Sequence, residues 1–172
     1  LADVGDRIIA DLTADANSRH NMMLLPASPF LQPYKHLTFV LAGDGGNGKG
    51  LFFSAFTKHN RQTQRLSATI DTEKLVGGGR LSGTSVEQEP VKLVGKLWAF
   101  DEDASGLDTH QTDRLKRLST GDTISGRVLG SDVISFNPRA VLCIATNLDF
   151  VTNMDASMKR RFAFIRMKDN RS

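Results

Sequence analysis

A single cysteine, Cys143, stands in a chain of 172 residues. An internal disulfide and a cysteine-rich zinc site are therefore both excluded. The thiol lies in the apolar run AVLCIATN, where cysteine packs as a small hydrophobe rather than acting as a nucleophile. Histidine is also scarce: His20, His36, His59 and His110 fall in separate segments without ligand spacing, which argues against a histidine metal site. No apolar run approaches the length of a membrane span, and the N-terminus lacks the basic-then-apolar pattern of a signal peptide. A cytoplasmic protein without membrane contact is the expectation. The chain opens on Leu1, a start compatible with a segment of something longer. Charge imbalance is slight at +3, so any claim of nucleic-acid binding has to come from local features. Internal repeats and low-complexity tracts are absent.

What remains, with 40% hydrophobic and 24% charged residues, is ordinary globular composition at the size of one well-cored domain. Val4, Ile8, Ile9 and Leu12 recur at helical spacing and predict one short amphipathic helix within residues 2–21. Three of the five prolines (Pro26, Pro29, Pro33) follow and mark a connector. From His36 onward, short apolar runs alternate with helical stretches. LTFVLAG (37–43) reads as a buried strand and KGLFFSAFTKH (49–59) as the helix that follows. RLSATI (65–70), GKLWAFDED (95–103), RAVLCIATN (139–147) and RFAFIRM (161–167) read as further strands. The stretch from Thr72 to Pro90 is polar and glycine-rich and predicts a mobile loop. Residues 108–120 read as a helix capped by Asp108. Residues 122–136, with β-branched residues around Gly-Ser-Asp, read as a hairpin. This order predicts an α/β fold with a largely parallel sheet covered on both faces.

Four clusters of residues carry chemistry. GDGGNGKG (43–50) meets the pattern G-x-x-x-x-G-K through Gly43, Gly48 and Lys49. Gly45 and Gly46 let backbone amides approach phosphate oxygens, and the following helix adds the positive end of its dipole. Lys49 can reach the β- and γ-phosphates. A plain glycine turn with a surface lysine is the competing reading, and the strand–loop–helix context disfavours it. At the end of LWAFDED, one of Asp101 and Glu102 can hold Mg²⁺ while the next polarises a water. Asn147, at the tip of CIATN, can orient the water facing a γ-phosphate, although a strand-end asparagine also suits a plain turn. Arg160 and Arg161 can stabilise phosphoryl charge from the same chain or from a neighbouring subunit, or can simply end a basic helix. VGGGR (76–80) could form a second cradle, but a surface loop is the better reading because no clear helix follows it.

In this order the clusters resemble the superfamily 3 helicases, a branch of the AAA+ ATPases, and most of all the helicase domains of phage and plasmid primase-helicases. The likeness rests on GDGGNGKG, GKLWAFDE, LKRLSTGDTISGRVL, IATN and RRFAFI, and covers about residues 37–167. Its most diagnostic parts are GNGK and the pattern of Lys116, Leu118, Gly121, Asp122, Ile124 and Arg127. The resemblance implies a P-loop AAA+ three-layer sandwich over residues 36–172, with a β-hairpin insertion, behind a short helical and proline-rich segment over 1–35. It implies a homo-oligomer, a hexameric ring that hydrolyses ATP with Mg²⁺ and moves along single-stranded DNA in phage or plasmid replication. For a phage protein, the setting would be the bacterial host cytoplasm. Nucleotide contacts would come from Gly43, Gly45, Gly46, Asn47, Gly48, Lys49, Gly50 and Leu51. The resemblance assigns Mg²⁺ to Asp101, water activation to Glu102, γ-phosphate sensing to Asn147, and the trans-acting finger to Arg160 or Arg161. It makes residues 121–136 the DNA-contacting hairpin, with Arg127 foremost and Lys116 and Arg117 as secondary contacts. Gly50 departs from the pattern, since it replaces the serine or threonine whose hydroxyl ligates Mg²⁺. Two other readings compete. An ATP-binding, weakly hydrolysing assembly or DNA-binding module is favoured by Gly50. A P-loop kinase accounts for the glycine loop but not for the later clusters.

Overall fold

A computed structural model describes residues 2–31, 37–77, 88–104, 109–128, 130–147 and 156–168. Five strands form one parallel sheet: β1 (Thr38–Ala42), β2 (Ser67–Thr69), β3 (Trp98–Asp101), β6 (Val141–Thr146) and β7 (Phe162–Arg166). Their order across the sheet is β2-β3-β6-β1-β7. Strands β4 (Ile124–Arg127) and β5 (Val133–Phe136) pair antiparallel as a separate ribbon. The α/β architecture with a parallel sheet and a hairpin is thus the one the alternating pattern predicts.

Parallel strands are covered on both faces, so their sequences read as continuous apolar runs. Every residue of β6 is buried accordingly. Alternate side chains feed two cores. Val40, Ala99, Leu142 and Ile144 pack with Leu75, Val76, Leu115 and Leu118 on one side. Phe39, Leu41, Phe100, Val141 and Cys143 pack with Met22, Leu25, Phe53 and Phe56 on the other. Burying a side chain such as Phe53 contributes about 1.5–3 kcal/mol. Burial also pushes the Cys143 thiol well up, which keeps it protonated and fits its packing role.

Helix α3 (Lys49–Thr57) leaves the loop after β1, and α4 (Arg61–Leu66) precedes β2. α6 (Thr109–Thr120) leads into the hairpin, and the short α7 (Ala156–Lys159) precedes β7. The N-terminal stretch departs from the single helix expected there, forming α1 (Ala2–Leu12) and α2 (Ala16–Leu24). Asp15 causes the break, because its carboxylate accepts from the Ser18 N–H at 2.8 Å and caps α2. Asp15 is held ionised below its usual range, chiefly by that backbone bond. The expected loop from Thr72 onward begins instead with α5 (Thr72–Val76), capped by Asp71, and Pro90–Leu93 form a 3-10 turn. VGGGR lies mostly outside the described residues, as does Asp108. No helix among the described residues is long and apolar enough to cross a membrane.

Because β6 lies between β1 and β3, the carboxyl ends of three adjacent strands converge. Those ends lead into the glycine loop, Asn147 and the acidic triplet.

Candidate functional site

The glycine loop follows β1 because two of its residues need left-handed backbone. Gly46 has φ 81° and Gly48 φ 89°, a region that a side chain disfavours. Gly48 is also the N-cap residue of α3, and no side chain caps that end. The first amides of the helix are therefore left for a ligand to satisfy. Gly43 serves a different purpose. A Cβ there would overlap the Asn47 side-chain nitrogen and sit 3.1 Å from Met167 Cβ. Asn47 is 4% exposed. Its Oδ1 accepts from Lys49 Nζ at 3.0 Å, whereas its Nδ2 is buried without a partner.

Lys49 is folded back into this loop, with Nζ donating to the carbonyls of Gly43 at 2.6 Å and Asp44 at 2.9 Å. Burial lowers its pKa, and the charges of Asp44 and Asp103 act against that shift. The partly desolvated ammonium can pair with a phosphate, while the two nearby carboxylates oppose one unless a cation offsets their charge.

One open cavity of about 450 Å³ gathers Gly45, Gly46, Asn47, Gly48, Lys49, Gly50 and Leu51 with Glu102, Asp103 and Asn147. The structure therefore brings together the loop, the glutamate and the strand-tip asparagine singled out from the sequence. It adds Asp103, which the sequence reading passed over although it completes the triplet. Asp101 is placed elsewhere. It is buried, its Oδ2 accepts from Thr72 N–H at 2.6 Å, and its Oδ1 accepts from Asp103 N–H at 3.3 Å. It lines an adjoining cavity together with Lys58, Asp71 and Glu73, and Glu102 and Asp103 line that cavity as well as the loop cavity. Gly50 has open space where a Cβ would stand.

The donors around the loop cavity suit a nucleotide with its cation: inward amides, a lysine and carboxylate oxygens. Among the described residues no three acidic, histidine or cysteine side chains converge as a metal cage. A divalent ion here would rest on one or two carboxylates and on phosphate oxygens, the mode Mg²⁺ favours.

The arginine pair lies at the other end of the sheet. The Arg161 carbonyl accepts from Thr38 N–H at the start of β1, and β1 and β7 run parallel. Five residues at about 3.3 Å each put roughly 16 Å of strand between this pair and the loop of the same chain. On the hairpin, Arg127 is exposed, and its Nε donates to Ser131 O at 3.2 Å across the turn. Arg117 Nε lies 3.5 Å from Asp122 Oδ2, and Lys116 is half-buried on the same helix. Val128, Val133 and Ile134 are exposed beside Arg127.

Among curated proteins no sequence match is found. The fold matches solved apo structures of the C-terminal region of NrS-1. One aligns with TM-score 0.68 and 18% identity over 94% of this chain and 37% of that one. Another, the A form, aligns with TM-score 0.65 and 19% identity over 88% and 34%. The chain thus spans little more than a third of the proteins it resembles, and at such identity the likeness is one of fold. A family model matches residues 41–161, from the end of β1 through the site to the arginine pair, and the chain belongs to that family of unknown function, DUF5906.

Proposed function

We propose that this chain is the ATP-hydrolysing motor domain of a DNA helicase or translocase that acts as a homo-oligomeric ring. The observation that carries the reading is the single cavity in which the glycine loop, Lys49, Glu102 and Asn147 meet at three adjacent strand tips. Lys49 exchanges its loop carbonyls for the β- and γ-phosphates, and the amides of residues 45–51 cradle the remaining oxygens. Asn147 orients a water. Glu102 accepts its proton as the water oxygen attacks the γ-phosphorus, and the bond from that phosphorus to the bridging oxygen breaks to leave ADP and phosphate. Mg²⁺, when bound, supplies positive charge to the phosphate oxygens, and the acids at the tip of β3 would hold it.

The distance of Arg160 and Arg161 from their own loop supports a finger delivered by a neighbouring subunit rather than in cis. The separate ribbon, with Arg127 among exposed apolar residues, supports a sequence-tolerant contact with single-stranded DNA. A second reading, an ATP-binding module with little turnover, draws on Gly50 and on a lysine already satisfied within its loop. The deciding measurement is ATP turnover with and without single-stranded DNA. The motor reading expects hydrolysis that DNA stimulates. Nucleotide binding without turnover favours the module, and turnover indifferent to DNA favours a kinase-like enzyme.

A further inference from the structure

Helix α5 is only five residues long, too short to hold its shape in water without tertiary support. Side chains from distant parts of the chain hold both of its ends. At the start, the buried carboxylate of Asp101 accepts from Thr72 N–H at 2.6 Å, and buried Glu89 accepts from Asp71 N–H at 2.7 Å. At the end, Arg114 Nη1 on α6 donates to the carbonyls of Gly77 at 2.7 Å and Val76 at 3.4 Å. Carbonyls at a helix C-terminus lack partners within the helix, so the guanidinium completes it. Between the ends, Leu75 and Val76 of α5 pack with Leu115 and Leu118 of α6. α6 in turn carries the hairpin. Gly121 turns the chain with φ 76°, and its carbonyl accepts from Asn137 Nδ2 at 2.9 Å, which ties the end of β5 back to the helix. An open cavity of about 380 Å³, lined by Leu75, Pro90, Arg117, Leu118 and Ile124, adjoins Arg114 between α5, α6 and β4. It leaves α6 room to turn against α5.

We infer that Arg114 is a positioning residue that links the hairpin's supporting helix, through α5, to the acid triplet, so that nucleotide in the loop cavity shifts the hairpin. This rests on the nucleotide-site reading above. Asp101 belongs to the triplet whose other two members line the loop cavity, and the same carboxylate fixes the first N–H of α5. Phosphate and cation arriving beside the triplet change the charge that this N–H faces. A single turn held at both ends has no interior to absorb the change and moves as a unit. Arg114 passes that movement to α6.

The test is amide hydrogen exchange of the whole chain with and without a non-hydrolysable ATP analogue and Mg²⁺, beside ATP turnover with and without single-stranded DNA. In the wild type the analogue should slow exchange in the glycine loop and alter it in β4 and β5. Arg114→Met keeps the aliphatic stem and removes the donors. It should retain loop protection and basal turnover, lose the hairpin response, and reduce DNA stimulation by about 2- to 30-fold. Arg114→Lys, which keeps a charged donor, should recover part of both. A purely structural role would lower the melting temperature without separating the hairpin response from loop protection. Four outcomes overturn the inference: a hairpin response intact in Arg114→Met, loss of loop protection along with it, no recovery in Arg114→Lys, or a wild-type hairpin that ignores the analogue while the loop is protected. A wild-type loop that the analogue does not protect overturns the nucleotide-site reading, and this inference with it. Wild-type turnover indifferent to DNA overturns the motor reading alone, and the exchange data still decide the role of Arg114.

Discussion

The two ends of the parallel sheet carry different sets of polar side chains. At the carboxyl ends of β1, β3 and β6 lie an inward-turned loop, a desolvated lysine, acids and an amide, gathered around one cavity. At the amino end of β7 lies the arginine pair, with Arg160 exposed and Arg161 half-buried. Parallel topology puts every strand tip on one edge and every strand start on the other, so no rearrangement within the sheet brings the two together. Their separation is built into the fold, and under the ring proposed above a second copy would bring the two together.

The comparison breaks most completely at Lys49. Lys49→Ala should abolish ATP binding, whereas Glu102→Gln should bind ATP normally and turn over about two to four orders of magnitude more slowly. Fluorescence binding alongside single-turnover hydrolysis separates the two, and near-normal turnover by the glutamine variant removes Glu102 from its role. The opposite edge is tested next. Arg160→Ala/Arg161→Ala and Lys49→Ala proteins should each be inactive alone yet recover part of the activity when mixed, because a mixed interface pairs an intact loop with intact arginines. A mixture that stays inactive while subunits exchange assigns the arginines a structural place. The smallest effect belongs to the hairpin. Arg127→Ala should weaken single-stranded DNA binding and reduce the slope of log affinity against log salt by about one. An unchanged slope with a lowered melting temperature makes Arg127 only the brace of the Ser131 turn.

Sequence patterns reveal these regions unequally. The strands β1, β3, β6 and β7 were legible because burial on both faces leaves continuous apolar runs. The loop was legible because left-handed turns and close phosphate approach demand glycine at fixed spacing. The split between α1 and α2 depends on one local cap, Asp15; Val4, Ile8, Ile9 and Leu12 all lie in α1, and the polar start of α2 left no periodic signal. α5 was hidden by its glycine-rich surroundings, since five residues provide too short a window for periodicity. The absence of Asp101 from the loop cavity that Glu102 and Asp103 line had no signal at all. Its carboxylate is held by a bond from Thr72, 29 residues away in the chain, which no local spacing encodes. Nor does adjacency in the chain tell which of three consecutive acids faces a given cavity.

The contact between Gly43 and Asn47 changes how the motif should be read as information. Position 43 admits no side chain because the Asn47 amide fills that space, and the amide stays there because its oxygen holds Lys49. Met167 Cβ, 3.1 Å from where a Cβ at residue 43 would stand, closes the same space from β7's end. Shrinking residue 47 alone would therefore not free residue 43, and the glycine answers to two neighbours far apart in the chain.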